Sequence, residues 1–258
     1  MNISVIALDL DGTLLNARKE VSERNLAAVM NCSRNGKKIV IATARPPRSV
    51  RDMLPQELLD IAAFVYYNGA VVRDADAGID EHYPIAADLA TELLEYCTEM
   101  MPECAISVEA NDLWFANREI VDRDFCHPRF RPEIVTPREL KRLEATKILL
   151  TSFTGAEPLV QRFGGRLHVV LTDQGKLLQA MNRTVSKSAG LLRLCGYYGV
   201  PASDLIAFGD DYNDMDMLRM AGYAVAMGNA VPELKAAAHS VTASNDEDGV
   251  AEMLERLL

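Results

Sequence analysis

The 258-residue chain lacks the cysteine and histidine spacings that mark a disulfide framework or a zinc site. Cys32, Cys97, Cys104, Cys126 and Cys195 are odd in number, and no two stand in C-x-x-C spacing. They are expected as free thiols in a reducing cytoplasm. His82, His127, His168 and His239 lie far apart, with no H-x-x-x-H pair. Long apolar runs are also missing. Ile3 to Leu8 is stopped by Asp9 and has no basic residues ahead of it, which is too short for a signal peptide or a membrane span. The expectation is a soluble cytoplasmic protein with no membrane partner. Positive charge is scarce: 27 Lys and Arg face 37 Asp and Glu, for a formal net charge of −10. Nucleic acids and anionic membranes demand a basic surface, so neither is expected as a partner. No G-x-x-x-x-G-K-[ST] loop, G-x-G-x-x-G fingerprint or G-x-S-x-G elbow occurs, which argues against P-loop, dinucleotide-binding and serine-hydrolase chemistry. Internal repeats and low-complexity stretches are likewise absent.

What is present is a globular composition, 49% hydrophobic and 25% charged, long enough for one large domain or two modest ones. Ile3 to Leu8, Lys38 to Ala42 and Ala63 to Tyr67 are short apolar runs suited to strands buried on both faces. Between the first two, Val21 to Arg34 has helical spacing, with Gly36 to end it. This alternation predicts an α/β fold with a parallel sheet. The middle differs. A helix over Asp88 to Met101 is followed by strand-like pieces at 105–108, 113–115, 147–150 and 168–171, with a short helix over 159–163. That mixture predicts an inserted α+β domain at 83–183, leaving 1–82 and 184–258 as one α/β core. The α/β pattern returns with a helix over 188–198, strands over 204–208 and 223–227, and helices over 215–220, 232–238 and 249–258.

Three of the predicted core strands end in polar residues able to do chemistry: Asp9 with Asp11, then Thr43, then Asp210. Parallel sheets bind ligands beyond the carboxyl ends of their strands, so these side chains are expected to converge on one crevice. Asp9-Leu10-Asp11-Gly12 also reads simply as a strand ending in a turn. Gly209-Asp210-Asp211-Tyr212-Asn213-Asp214 packs three carboxylates into six residues. It is not a calcium EF-hand loop, because Tyr212, Met215 and Ala221 stand where a ligand, the glycine and the last ligand belong. A solvated acidic loop is the plainer alternative. Several carboxylates in one crevice repel unless a cation joins them, and Mg2+ suits oxygen ligands and phosphate. Lys187 follows Ser186, a good N-cap residue, so its ammonium and a helix N-terminus would together favour an anion. Taken alone it is an ordinary surface lysine.

Those segments, in that order, resemble the haloacid dehalogenase (HAD) superfamily: Asp9-Leu10-Asp11-Gly12-Thr13-Leu14, Thr43, Lys187, and Gly209 to Asp214. The insertion resembles the cap of class IIB, the Cof-type phosphatases, and Asn68-Gly69-Ala70 matches a motif of that subgroup. The resemblance implies a Rossmann-like core with an α+β cap. It also implies a phosphatase acting on a small phosphorylated metabolite, such as a sugar phosphate or a phosphorylated cofactor. Asp9 would be the nucleophile and Asp11 the general acid and base. Thr43, Ala44, Lys187 and Asn213 would bind the phosphoryl group. Mg2+ would sit on Asp9, the carbonyl of Asp11, and Asp210, supported by Asp214. Two positions depart from the family pattern, Ala44 and Ser188 standing where glycine is usual; both keep a backbone N–H for phosphate. Asp11 separates this chain from dehalogenases and P-type ATPases of the superfamily, which lack an aspartate there. A phosphomutase, or a non-catalytic sensor of phosphorylated ligands, remains an alternative. In the insertion, Arg118, Arg123, Arg129 and Arg131 could meet an anionic substrate. Because Glu119, Asp122 and Asp124 are interleaved, they equally suit a solvated charged face. Nothing in the sequence bears on oligomeric state.

Overall fold

A computed structural model describes residues 2–120, 129–172 and 175–257. The chain begins with β1 (Val5–Leu8), buried at every position as a strand covered on both faces must be. α1 (Glu23–Arg34) starts where the Ser22 hydroxyl accepts the Asn25 N–H, and it ends before left-handed Gly36 (φ 79°). Then come β2 (Lys38–Ala42), α2 (Pro47–Met53), α3 (Gln56–Ile61), β3 (Ala62–Tyr66), β4 (Val71–Asp74) and β5 (Ile79–His82). The middle of the chain forms α4 (Ala87–Met100), β6 (Ala105–Ala110), β7 (Leu113–Ala116), β8 (Glu133–Ile134), α5 (Pro137–Leu140), β9 (Lys147–Thr151), α6 (Glu157–Phe163), β10 (Leu167–Thr172) and β11 (Leu177–Asn182). The last part holds α7 (Lys187–Tyr198), β12 (Leu205–Gly209), α8 (Met215–Met220), β13 (Tyr223–Ala226), α9 (Pro232–Ala237), β14 (Ser240–Val241) and α10 (Gly249–Leu257). None of the described helices is long and apolar enough to cross a membrane.

The chain divides into two compact units, Met1–Glu81 with Ser186–Leu258, and His82–Val185. In the first, the described residues form an eight-stranded sheet in the order β14-β13-β12-β1-β2-β3-β4-β5. Pairing is parallel from β14 through β3, as the alternation of elements predicts, and β4 joins antiparallel to β3. From β1 the chain proceeds outward through β2 and β3, and it later returns to the other side of β1 with β12. That reversal is a topological switch point, where loops leave in opposite directions and open a crevice. Register sets its depth: Leu8 lies opposite Phe208 on one side and Ile41 on the other. The tips of β1, β2 and β12 therefore end level.

In the second unit the described residues form a six-stranded sheet in the order β10-β11-β9-β6-β7-β8, together with α4, α5 and α6. Its core joins Leu93, Leu94 and Cys97 of α4 and Leu159 and Phe163 of α6 to Ile106, Val108, Ile148, Leu150, Leu178 and Ala180 of the strands. Alternation sends Ser107, Glu109, Lys147 and Gln179 to the opposite face, where the Lys147 ammonium donates to Gln179 Oε1 (3.1 Å). Strand β11 is not apparent in the sequence. Leu-Leu-Gln-Ala-Met-Asn has helix-forming residues and no β-branched one. It is a strand because antiparallel partners, β10 and β9, flank it on both sides.

Two glycines in α7 differ in what surrounds them. A Cβ on Gly190 would lie 2.5 Å from Val65 Cγ1, whereas one on Gly196 would meet nothing within 4 Å. Gly190 is thus the close contact between α7 and β3. Gly190→Ala is expected to destabilise by about 1–3 kcal/mol through overpacking. Gly196→Ala is expected to stabilise by up to about 1 kcal/mol through helix propensity. Thermal and urea denaturation of the two variants measure both.

Candidate active site

The crevice is built from four chain turns in the first unit. At the end of β1, Asp9 is buried (4% exposed) and its N–H donates to Phe208 O (3.1 Å). The chain then folds back, with the Leu14 N–H on Asp9 O (3.3 Å) and the Leu15 N–H on Leu10 O (2.9 Å). Gly12 is required twice over. Its φ is 78°, and a Cβ there would lie 2.1 Å from Asp210 Oδ2. Thr13 Oγ1 donates to Asp210 Oδ1 (3.3 Å), and Asn229 Nδ2 donates to Gly12 O (2.8 Å).

At the end of β2, Thr43 is fixed by its backbone. Its N–H donates to Val65 O (2.8 Å), and its carbonyl accepts the Asn68 N–H (2.9 Å). Its Oγ1 accepts the Arg45 N–H (3.1 Å), leaving the hydroxyl hydrogen for another acceptor. Ala44 sits between these anchored neighbours. The Tyr67-Asn68-Gly69 turn that holds Thr43 has three successive positive φ values, 51°, 55° and 106°. Gly69 also faces Ser186 O so closely that a Cβ would be 2.2 Å away. Asn68-Gly69 is therefore a spacer between the β2 tip and the start of α7.

α7 opens with Ser186, whose hydroxyl accepts the Ala189 N–H (3.1 Å). Lys187 is next, and it is not a surface lysine. Its side chain is fully buried, with Nζ 2.5 Å from Asp9 Oδ1 and 2.6 Å from Asp214 Oδ1. Ser188 differs from its expected use. Its N–H (3.1 Å) and hydroxyl (2.7 Å) both donate to Asp216 Oδ2, so the serine ties α7 to α8 and its N–H already has a carboxylate acceptor.

After β12, Asp214 organises the acidic turn. Its Oδ2 accepts the N–H groups of Asp210 (3.0 Å) and Asp211 (3.2 Å), leaving Oδ1 for Lys187. Asn213 is half-buried in the same turn, one residue before it. Carboxylate oxygens of Asp9, Asp210 and Asp214 all lie within 4.8 Å of one another.

The electrostatics follow from that packing. Burial opposes the charge on Lys187, but Asp214 and Asp9 outweigh it and hold the ammonium charged. Burial, reinforced by Asp214 and Asp210, pushes the Asp9 carboxyl up against the pull of Lys187. Burial, Asp214 and Asp211 push Asp210 up to about 7. Three carboxylates and one ammonium carry two net negative charges when all are ionised. A divalent cation with oxygen ligands fits that donor set in charge and in ligand type.

Asp11 faces a different environment. Both of its oxygens are engaged by two residues the sequence reading passed over. Arg45 donates from Nε to Oδ2 (2.6 Å) and from Nη2 to Oδ1 (2.7 Å), and Lys19 Nζ lies 2.7 Å from Oδ1. Burial raises the Asp11 carboxyl, but Arg45 and then Lys19 outweigh it and bring it down to about 2. The signal was available: Arg45 stands two residues beyond Thr43, at the same strand end as the predicted phosphate contact.

In the second unit, Arg118 donates to the carbonyls of Pro102 (2.7 Å) and Glu103 (3.2 Å), a structural tie. Arg129 and Arg131 are exposed, and Arg123 lies outside the described residues, as do Cys126 and His127. The other four cysteines are buried free thiols.

Comparison with known proteins agrees over the whole chain. Residues 6–254 match the family of haloacid dehalogenase-like hydrolases. The 5-amino-6-(5-phospho-D-ribitylamino)uracil phosphatase YitU of Bacillus subtilis is 30% identical over 97% of this chain and 96% of its own. The crystal structure of TM0651 from Thermotoga maritima superposes with a TM-score of 0.87 at 25% identity, over 99% of this chain and 98% of that one. BT1666 of Bacteroides thetaiotaomicron, a phosphatase of the HAD superfamily, gives a TM-score of 0.84 at 28% identity, over 98% and 94%. With matches of that extent around this crevice, the chain belongs to the haloacid dehalogenase-like hydrolases.

Proposed function

We propose that the protein is a magnesium-dependent phosphatase that transfers the phosphoryl group of a small metabolite to Asp9 and then to water. The observation that carries this reading is the buried Lys187 ammonium, 2.5 Å from Asp9 Oδ1 inside a group of three carboxylates. A structural ion pair would be balanced in charge. This one sets three carboxylates against one ammonium beyond the strand ends of a parallel sheet, an excess that a divalent cation would offset.

In the first step an Asp9 oxygen attacks phosphorus and the bond to the ester oxygen breaks, with Asp11 giving that oxygen a proton. In the second, Asp11 takes a proton from water as the water oxygen attacks phosphorus, and the bond to Asp9 breaks. Splitting the displacement in this way replaces one hard step by two easier ones. Thr43 donates its hydroxyl hydrogen to a phosphoryl oxygen, with the Asn213 amide and the Ala44 N–H as further donors. Lys187 aligns Asp9 and neutralises developing charge. Asp9, Asp210 and the Asp11 carbonyl would hold Mg2+, with Asp214 fixing the turn behind them. The ion would offset the charge of the phosphoryl oxygens. We assign residues 1–82 and 184–258 to this chemistry and 83–183 to the choice of substrate. The relative named for 5-amino-6-(5-phospho-D-ribitylamino)uracil supports a small phosphorylated metabolite as the substrate.

Purified protein is expected to release inorganic phosphate from members of a panel of phosphorylated sugars and cofactor precursors. Chelation should abolish turnover and added Mg2+ restore it. Asp9→Asn should lower kcat by about a thousandfold or more. Borohydride added during turnover should convert residue 9 to homoserine, the reduction product of an acyl phosphate. Transfer of phosphate within the substrate, without release, would mean a mutase; wild-type protein inert across the panel would mean a binding protein.

Lys187 separates structure from chemistry. Lys187→Met leaves Asp9 and Asp214 buried without a counter-charge and is expected to cost about 3–5 kcal/mol in metal-free buffer. Adding Asp214→Asn should recover part of that stability and none of the activity. Denaturation and turnover of both variants test this.

A further inference from the structure

Asp11 exchanges protons in the proposed reaction, yet nothing in its own turn fixes its carboxyl plane. The fixing contacts come from elsewhere. Arg45 reaches from beyond β2 and presents Nε to Oδ2 (2.6 Å) and Nη2 to Oδ1 (2.7 Å), a fork-to-fork pair that sets both position and plane. Its backbone is anchored on both sides: the N–H donates to Thr43 Oγ1 (3.1 Å), and the carbonyl accepts the Tyr67 N–H (3.2 Å). The turn that delivers Thr43 therefore also delivers Arg45. Lys19 contributes differently. It is more exposed, with side-chain exposure of 52% against 25% for Arg45, and a single Nζ contact at 2.7 Å sets no plane.

We propose that Arg45 is the positioning residue for Asp11: its paired N–H groups orient the carboxyl for the leaving-group oxygen, and it does not act by binding the phosphoryl group. This inference rests on the phosphatase reading above. A purely structural Arg45 would affect all substrates alike. A phosphate-binding Arg45 would weaken every phosphorylated ligand. An Arg45 that orients the proton donor matters most when the departing oxygen most needs a proton.

The test uses full-length protein with Mg2+ and two probes, p-nitrophenyl phosphate, whose leaving group needs little protonation, and D-ribose 5-phosphate, whose alkoxide needs much. The readout is kcat/KM, which covers steps up to leaving-group departure. Arg45→Met should lower kcat/KM on ribose 5-phosphate about tenfold or more beyond its effect on p-nitrophenyl phosphate. Arg45→Lys, which keeps the charge and loses the fork, should show the same selective loss. Competitive inhibition by inorganic phosphate should stay within about twofold of wild type in both. In an Asp11→Asn background the Arg45 substitutions should add no selective loss, because the partner they act through is gone. Equal losses on the two probes, weakened phosphate inhibition, or a selective loss that persists in Asp11→Asn would each overturn the positioning role while leaving the phosphatase reading intact. Wild-type protein that hydrolyses neither these probes nor any other phosphate ester sinks both.

Discussion

The crevice depends on one ammonium buried between two carboxylates. Lys187 Nζ touches Asp9 at the end of β1 and Asp214 in the turn after β12, so a single side chain joins the tips of these two neighbouring strands. A charge so deeply placed is tolerable only with partners at contact distance. That requirement passes to the backbone. Gly209 must lack a side chain because a Cβ would lie 2.5 Å from Asp214 Cβ, Gly12 because of Asp210, and Gly69 because of Ser186. The glycines mark where main chain is pressed against the charged cluster to close it.

Topology makes those contacts affordable in conformational terms. The reversal of strand order between β1 and β12 leaves a crevice without any loop having to cross the sheet. The registers keep three strand tips level, so short side chains such as Asp and Thr suffice. Longer ones reach in from outside: Lys187 from a helix N-terminus, and Arg45 from beyond the end of β2.

This division explains what could be seen in the sequence. Asp9, Thr43 and Asp210 stand directly after apolar runs, so the period of the strands places them at the sheet edge before any contact is known. Lys187 was legible from its N-cap serine, although its complete burial was not. Arg45 and Lys19 were missed because their importance lies in where a long side chain ends. Ser188 was misjudged for a related reason. A backbone N–H looks available until the carboxylate of Asp216, on another helix, is seen to accept it. Among the elements, β11 was hidden by helix-forming residues and β5 by its polar character, both being strands because of their neighbours.

Two residues apart, Asp9 and Asp11 are driven in opposite directions. Burial and the nearby Asp214 and Asp210 push the Asp9 carboxyl up, whereas Arg45 and Lys19 overcome burial to bring Asp11 down to about 2. The proposed roles need the reverse, an ionised nucleophile at 9 and a carboxyl able to carry a proton at 11. Charge supplies the resolution. A divalent cation among Asp9, Asp210 and Asp214 would favour ionised Asp9, since it removes the repulsion that raises it. An anionic phosphate ester arriving beside Asp11 would work the other way, opposing a second negative charge there. On this reading the carboxyls would acquire their working states only when ion and ester are both in place. The contrast depends on Arg45 and Lys19 pairing with Asp11 and not with Asp9, a distinction set by the fold of the β1 and β2 ends.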